Sequence, residues 1–174
     1  METKIWIRFS LGLLCLVIAL VSCNGPESGG GAADWRPAFW ADRVQLQRSF
    51  TRIVEQNPQR GESPAIEVFV EVFDQFGDPI KATGQFRFEI FRYLPAVSDP
   101  RGRRYENDGM QEFDLTNPEI NQQYWDSITL NYRMRLKLPP DANDAKQLVL
   151  QVTFISGPPD QIERVQDVLV LERH

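Results

Sequence analysis

The chain has 174 residues, 42% of them hydrophobic and 25% charged, with 19 basic and 24 acidic side chains and a formal net charge of −5. That is the make-up of a globular domain, and the acidic balance argues against general nucleic-acid binding, which calls for a basic surface. The single histidine is His174, the last residue, and the two cysteines are Cys15 and Cys23, which excludes a multi-histidine zinc site and argues against a Ser-His-Asp triad or a Cys-His pair.

The first segment reads as a secretory signal peptide. Lys4 and Arg8 supply a positive flank, and Phe9 to Val21 then runs for thirteen residues with only Ser10 and Gly12 interrupting its apolar character. A transmembrane helix needs roughly 20 apolar residues, and Arg8 closes the upstream end of this run. Leu20-Val21-Ser22-Cys23 resembles the bacterial lipobox, in which a small residue precedes an invariant cysteine. The resemblance implies that the Cys23 thiol is joined to diacylglycerol, that residues 1–22 are removed, and that the protein is held at a membrane through lipid on Cys23. Each buried acyl methylene contributes about 0.8 kcal/mol, so two or more chains hold firmly. Asn24 after the cysteine, rather than Asp, implies sorting to an outer membrane, facing the periplasm or the exterior. The competing reading is an ordinary secreted protein with a chance cysteine. Loss of Glu2, Lys4 and Arg8 leaves 17 basic and 23 acidic residues, a formal charge of −6. With Cys15 removed and Cys23 lipidated, no thiol remains for a disulfide, and stability must come from the core.

Cys23 and the Gly-rich run Asn24 to Ala33 form a flexible tether over residues 23–33. Its ten residues after the cysteine span roughly 16–19 Å as a random coil. The triple glycine Gly29 to Gly31 within it follows no strand and precedes no Lys-Ser or Lys-Thr pair, so it is not a phosphate loop. One domain, residues 34–174, follows. Asp34 to Val54 is ambiguous, with Phe39, Leu46, Phe50 and Ile53 near helical spacing and Val44, Leu46 and Arg48 alternating; a short strand is expected over Arg43 to Gln47.

From Pro64 the period becomes two. Ile66, Val68, Val70 and Val72 alternate with Glu67, Phe69, Glu71 and Phe73, and Phe86, Phe88 and Ile90 alternate with Arg87 and Glu89. From Ile128 to Leu138 the even positions are apolar and the odd ones polar. Gln147 to Ile155 and Val165 to Glu172 repeat the pattern more loosely. Turns rich in Gly, Pro, Asp and Asn separate the runs. These features predict an all-β fold, a single antiparallel β-sandwich of about seven strands. Within Val72 to Phe86, the residues Asp74, Gly77, Pro79, Ile80 and Ala82 resemble the first hairpin of Ig-like and transthyretin-like sandwich modules, which implies a fold and no function. The whole chain is also similar to bacterial lipoproteins of uncharacterised function, from which no activity carries over.

Arg101, Arg103 and Arg104 lie in the stretch Pro95 to Asn107, expected to be a long loop. They form a basic cluster able to meet an anionic headgroup, a glycan acid or an acidic envelope protein. Asp141, Asn143 and Asp144 are weak calcium candidates, as are Asp74 and Asp78, but the Gly and distal Glu of an EF-hand loop are missing; no metal and no cofactor is expected. Tyr124-Trp125-Asp126 follows Asn117-Pro118, where a turn or short helix interrupts the sheet, with Trp125 expected to cap the core. Glu67, Glu71 and Glu89 face outward opposite Arg87, Arg133, Arg135 and Lys137, an arrangement that cross-strand charge pairing explains. The expected function is a non-enzymatic, membrane-anchored binding or assembly module of the cell envelope. The alternatives are an envelope hydrolase using two carboxylates about 5–9.5 Å apart, and a small-ligand carrier with an apolar cavity between its sheets.

Overall fold

A computed structural model describes residues 40–55 and 63–173; the expected signal peptide, Cys23 with the expected tether, and His174 lie outside them. The chain folds as an antiparallel all-β sandwich of two open sheets. The first sheet holds β1 (Arg43–Leu46), β2 (Arg52–Val54), β3 (Ala65–Phe73), β7 (Trp125–Asp126) and β8 (Asn131–Lys137). β3 and β8 form its centre, with β1 and β2 sharing the far edge of β3 and β7 beside β8. The second holds β4 (Gln85–Tyr93), β5 (Arg101–Arg104), β6 (Met110–Asp114), β9 (Gln147–Ser156) and β10 (Glu163–Glu172). Here β10, β9 and β4 run side by side, and β5 and β6 share the outer edge of β4. Among the described residues there are ten strands where about seven are expected, because one outer strand of each sheet is broken in two and β7 has only two residues.

The period-two pattern sets the core. Ile66, Val68, Val70 and Val72 of β3 meet Phe86, Phe88 and Ile90 of β4, with Tyr132 and Leu136 of β8 and Leu148, Leu150, Val152 and Phe154 of β9, all without solvent exposure. Each such side chain contributes about 1.5–3 kcal/mol through removal from water. The expected strand Ile128 to Leu138 begins only at Asn131. Asp126 Oδ1 accepts the backbone N–H groups of Ile128 (2.9 Å) and Thr129 (3.4 Å), and Leu130 takes a left-handed φ of 54°. That local turn outcompetes the alternation, leaving Ile128 and Leu130 exposed.

The turn after β3 is built by Asp74, which is buried. Its Oδ1 accepts from the N–H groups of Phe76 (2.9 Å) and Asp78 (3.0 Å), and Gly77 supplies the positive φ of 86°. One carboxylate oxygen of this weak calcium candidate is thus occupied in holding the turn.

Helix α1 (Pro118–Tyr124) follows β6; Asn117 caps it through bonds from Glu119 N and Ile120 N, and Pro118 and Glu119 suit its first turn. Asn121 is buried beneath it and donates to the carbonyls of Ala82 (2.8 Å) and Leu115 (3.0 Å). The Tyr132 hydroxyl lies 2.9 Å from the Ala82 carbonyl and 3.2 Å from Asn121 Oδ1. Trp125 packs edge-on to Tyr132, with ring centroids 5.0 Å apart, so it closes this end of the core as expected.

Two polar side chains cross between the sheets. Gln111, on the same face of β6 as Phe113, donates to the Lys137 carbonyl and accepts the Lys137 N–H, both at 2.9 Å. On the opposite flank Asp167, which alternates with Leu169 and Leu171 in β10, accepts the Leu46 N–H at 2.8 Å. Each therefore joins a strand of one sheet to an outer strand of the other.

Candidate functional site

The strand registers define two poles. Phe73 pairs with Arg43, Asp126 with Asn131, Gln85 with both Asp114 and Ile155, and Ser156 with Glu163. All of these lie at one end, where the bonds of Asn121 and Tyr132 to Ala82 tie the sheets together. The described domain starts at this end, with Trp40. The other end carries the pairs Ala65–Lys137, Tyr93–Arg101 and Gln147–Glu172.

At the first pole a cleft of about 790 Å³ opens to solvent. Trp40, Ile155, Pro158, Pro159 and Ile162 give it apolar walls, and Lys81, Thr83, Gln85, Asp114 and Thr116 give it polar groups. Gly157 is required here on two counts. Its φ is +103°, and a Cβ would lie 2.2 Å from the Gln161 carbonyl oxygen and 2.8 Å from Trp40. Among the described residues Asp114 is the one carboxylate in the lining. Its Oδ1 accepts from the Thr116 hydroxyl (2.7 Å) and N–H (2.9 Å), and these bonds, the hydroxyl foremost, hold its pKa below the usual carboxylate value. A general acid needs the opposite shift.

At the second pole Arg101, Arg103 and Arg104 do not sit in a loop. They form β5, against the end of β4, and the loop is the shorter stretch Leu94 to Pro100, closed by a 2.9 Å bond from Leu94 N to the Pro100 carbonyl. Pairing overrides the absence of apolar residues because Gly102 lets the backbones approach; a Cβ there would stand 2.8 Å from the Arg92 carbonyl oxygen. Each arginine has a local partner. Arg101 forks onto Asp99, at 2.6 Å from Nη2 and 2.9 Å from Nε, and its Nη1 reaches Gln151 Oε1 at 2.5 Å. Arg104 meets Glu89 at 2.6 Å, and Arg103 meets Glu106. The Arg103 side chain is 77% exposed and Glu106 is 70% exposed, so their pair is a weak one that a stronger anion would displace. Arg101 is committed to its neighbours, and Arg103 is the group most open to a partner. Leu94 and Val97 stand exposed beside it, and Ala96 holds a left-handed φ of 62°.

The Arg101 guanidinium, and next its backbone N–H, hold the Asp99 carboxyl down to about 2. Because the folded value lies below the unfolded one, the contact is fully present above about pH 4 and is lost as the pH falls toward 2. In a carboxyl-carbon NMR titration Asp99 is expected to titrate near 2 in the native chain and to return toward its ordinary value in Arg101→Ala. An unchanged midpoint would mean that the fork is absent in solution.

Elsewhere the outward carboxylates are paired across strands. Glu67 meets Arg52 directly opposite it (3.0 Å) and Arg133 on the other side (2.9 Å from Nε). Partial burial works to raise the Glu67 pKa, but the bonds and charges of Arg133 and then Arg52 outweigh it and pull it below the usual value. Arg87 meets Glu112 at 2.7 Å, again directly opposite, and Glu71 accepts from Gln47. Asp141, Asn143 and Asp144 lie exposed on or just after a 3₁₀ turn, Pro140–Ala142. Among the described residues no three His, Cys, Asp or Glu side chains gather as a metal site, and no helix is long and apolar enough to cross a membrane. Comparison with family models, curated proteins and solved structures gave no match.

Proposed function

We propose that the chain is a lipid-anchored, non-enzymatic binding module of the bacterial cell envelope, held through Cys23 and presenting its arginine-bearing pole to a partner. The observation that carries this reading is polarity. Trp40, the first described residue, lies at one end, and Leu94 to Arg104 stands at the other. A tether joined at the first end leaves the second facing away from the membrane. There, Leu94 and Val97 offer apolar contact and Arg103 offers a displaceable cation, which suits an envelope protein or glycan bearing both apolar and acidic groups. A carboxylate-pair hydrolase finds less support: among the described residues the cleft at the first pole has a single carboxylate in its lining, with its pKa shifted the wrong way for an acid.

The test is in-cell crosslinking with pull-down, comparing the native chain, Cys23→Ser and Arg103→Glu at matched expression. The native chain is expected to fractionate with membranes and capture one abundant partner. Cys23→Ser should lose both, and Arg103→Glu should stay at the membrane while its capture falls several-fold. Cys23→Ser remaining with membranes would overturn the anchor, and undiminished capture by Arg103→Glu would overturn the distal pole as the binding surface.

A further inference from the structure

We infer that the pole from which the domain starts is itself a membrane-contacting surface, whose apolar loop tips enter the headgroup region of a zwitterionic bilayer. The inference rests on the anchor reading above, because the tether brings this pole to the lipid. Among the described residues nine large apolar side chains are exposed, and five of them, Phe76, Ile120, Ile128, Leu130 and Ile162, belong to this pole. They come from four separate segments: the turn after β3, helix α1, the turn between β7 and β8, and the turn before β10. Only Leu94 and Val97 stand at the opposite end.

Core packing explains none of the five. Ile128 is 90% exposed and Phe76 is 71% exposed, and both sit in turns whose backbone is fixed by a buried or hydrogen-bonded aspartate beneath them. Leu130 is held at a φ of 54°, a conformation that a bulky residue rarely takes, and its side chain still faces water. Convergent apolar tips with a polar rim mark a surface that meets another phase or partner. The partner argued here is lipid because the chain preceding Trp40 leads from Cys23 to this same pole.

Charge selects the kind of lipid. Among the described residues of this pole Asp78, Asp114 and Asp160 are exposed, as are Arg43 and Lys81, so the pole carries both signs with no cationic excess, which disfavours an anionic surface. Among the described residues the cleft at this pole is lined by one cation, Lys81, and one carboxylate, Asp114, a match for a headgroup bearing one phosphate and one ammonium.

The experiment uses the full chain, expressed with its own N-terminus and reconstituted on phosphatidylcholine vesicles. A polarity-sensitive thiol dye is placed at Ile128→Cys in one preparation and at Val97→Cys in another; both positions are exposed, so the fold is not at stake. Flotation with the vesicles is measured alongside. The dye at Ile128→Cys is expected to shift to the blue and to lose most of its quenching by aqueous iodide, while the dye at Val97→Cys does neither. If the protein floats but neither dye responds, the domain stands clear of the bilayer and the inference fails while the anchor survives. A response at both positions would also overturn it, since the contact would not be polar. A chain that does not float removes the anchor and the inference together.

Discussion

Phe86→Ala is expected to cost the domain about 3–5 kcal/mol. Phe86 is fully buried and is the hub of the aromatic core. Its ring centroid lies 4.7 Å from that of Phe154, 5.2 Å from Tyr132 and 5.9 Å from Phe88. It therefore touches β9 beside it, β8 of the opposing sheet, and its own strand. Truncation removes its transfer free energy and leaves a void that two rigid sheets close only partly, and it deletes aromatic pairs contributing about 0.5–1.5 kcal/mol each. A domain of this size has about 5–15 kcal/mol in total, so the variant should unfold at a far lower urea concentration with an unchanged denaturant slope. Phe76→Ala, on an exposed turn, should stay within about 0.5 kcal/mol of the native chain. A Phe86→Ala loss below about 1 kcal/mol would mean that the sheets do not meet where this structure places them.

The second large effect is expected at Asn121, where Ala should cost about 2–3 kcal/mol although alanine favours a helix. The carboxamide donates to Ala82 and Leu115 while the Tyr132 hydroxyl lies within reach of its oxygen. Its removal strands the Leu115 carbonyl without this donor in a buried place. Tyr132→Phe should cost about 1 kcal/mol, and the double variant less than the two together, because the residues share the Ala82 carbonyl. There is an alkaline counterpart. Burial pushes the Tyr132 hydroxyl up to about 12, so the folded value lies above the unfolded one near 10. The stability this residue contributes is present below about pH 10 and is lost as pH rises through 12. Tyr132→Phe should flatten that slope in urea titrations between about pH 10 and 12, and a slope equal to that of the native chain would dismiss the network.

β3, β4, β8 and β10 were legible in the sequence because each turns one apolar face to the core and so prints period two; β9, buried on both faces from Leu148 to Phe154, prints it only loosely. The outer strand β1 was legible too, as the short strand expected over Arg43 to Gln47, but β5 and β6 were not. β5 reads Arg-Gly-Arg-Arg with no apolar residue, and β6 has Met110 and Phe113 three apart, so neither carries the period. Ile128 and Leu130 misled in the other direction: they continue the alternation of β8 perfectly, and only Asp126, two residues earlier, signals the turn that takes them out of the sheet. The arginine cluster was visible as a cluster, but its neutralisation was not inferred, although Asp99 and Glu106 lie two and three residues from Arg101 and Arg103. The two poles were not legible at all, since they arise from strand registers that bring residues as distant as Trp40, Gln85 and Ile162 to one end.

Gln111 and Asp167 have a bearing on how copies of this domain tolerate one another. The outer strands of a sandwich are ready templates for runaway strand addition. Here the margins offer little to copy. β1 with β2, and β5 with β6, are interrupted; β7 is two residues long. The one long margin, β10, has the inward-pointing carboxylate of Asp167 at its middle, and Gln111 occupies the Lys137 backbone on the other flank. The same two residues that hold the sheets in register thus act as gatekeepers against fibril growth between copies of the domain.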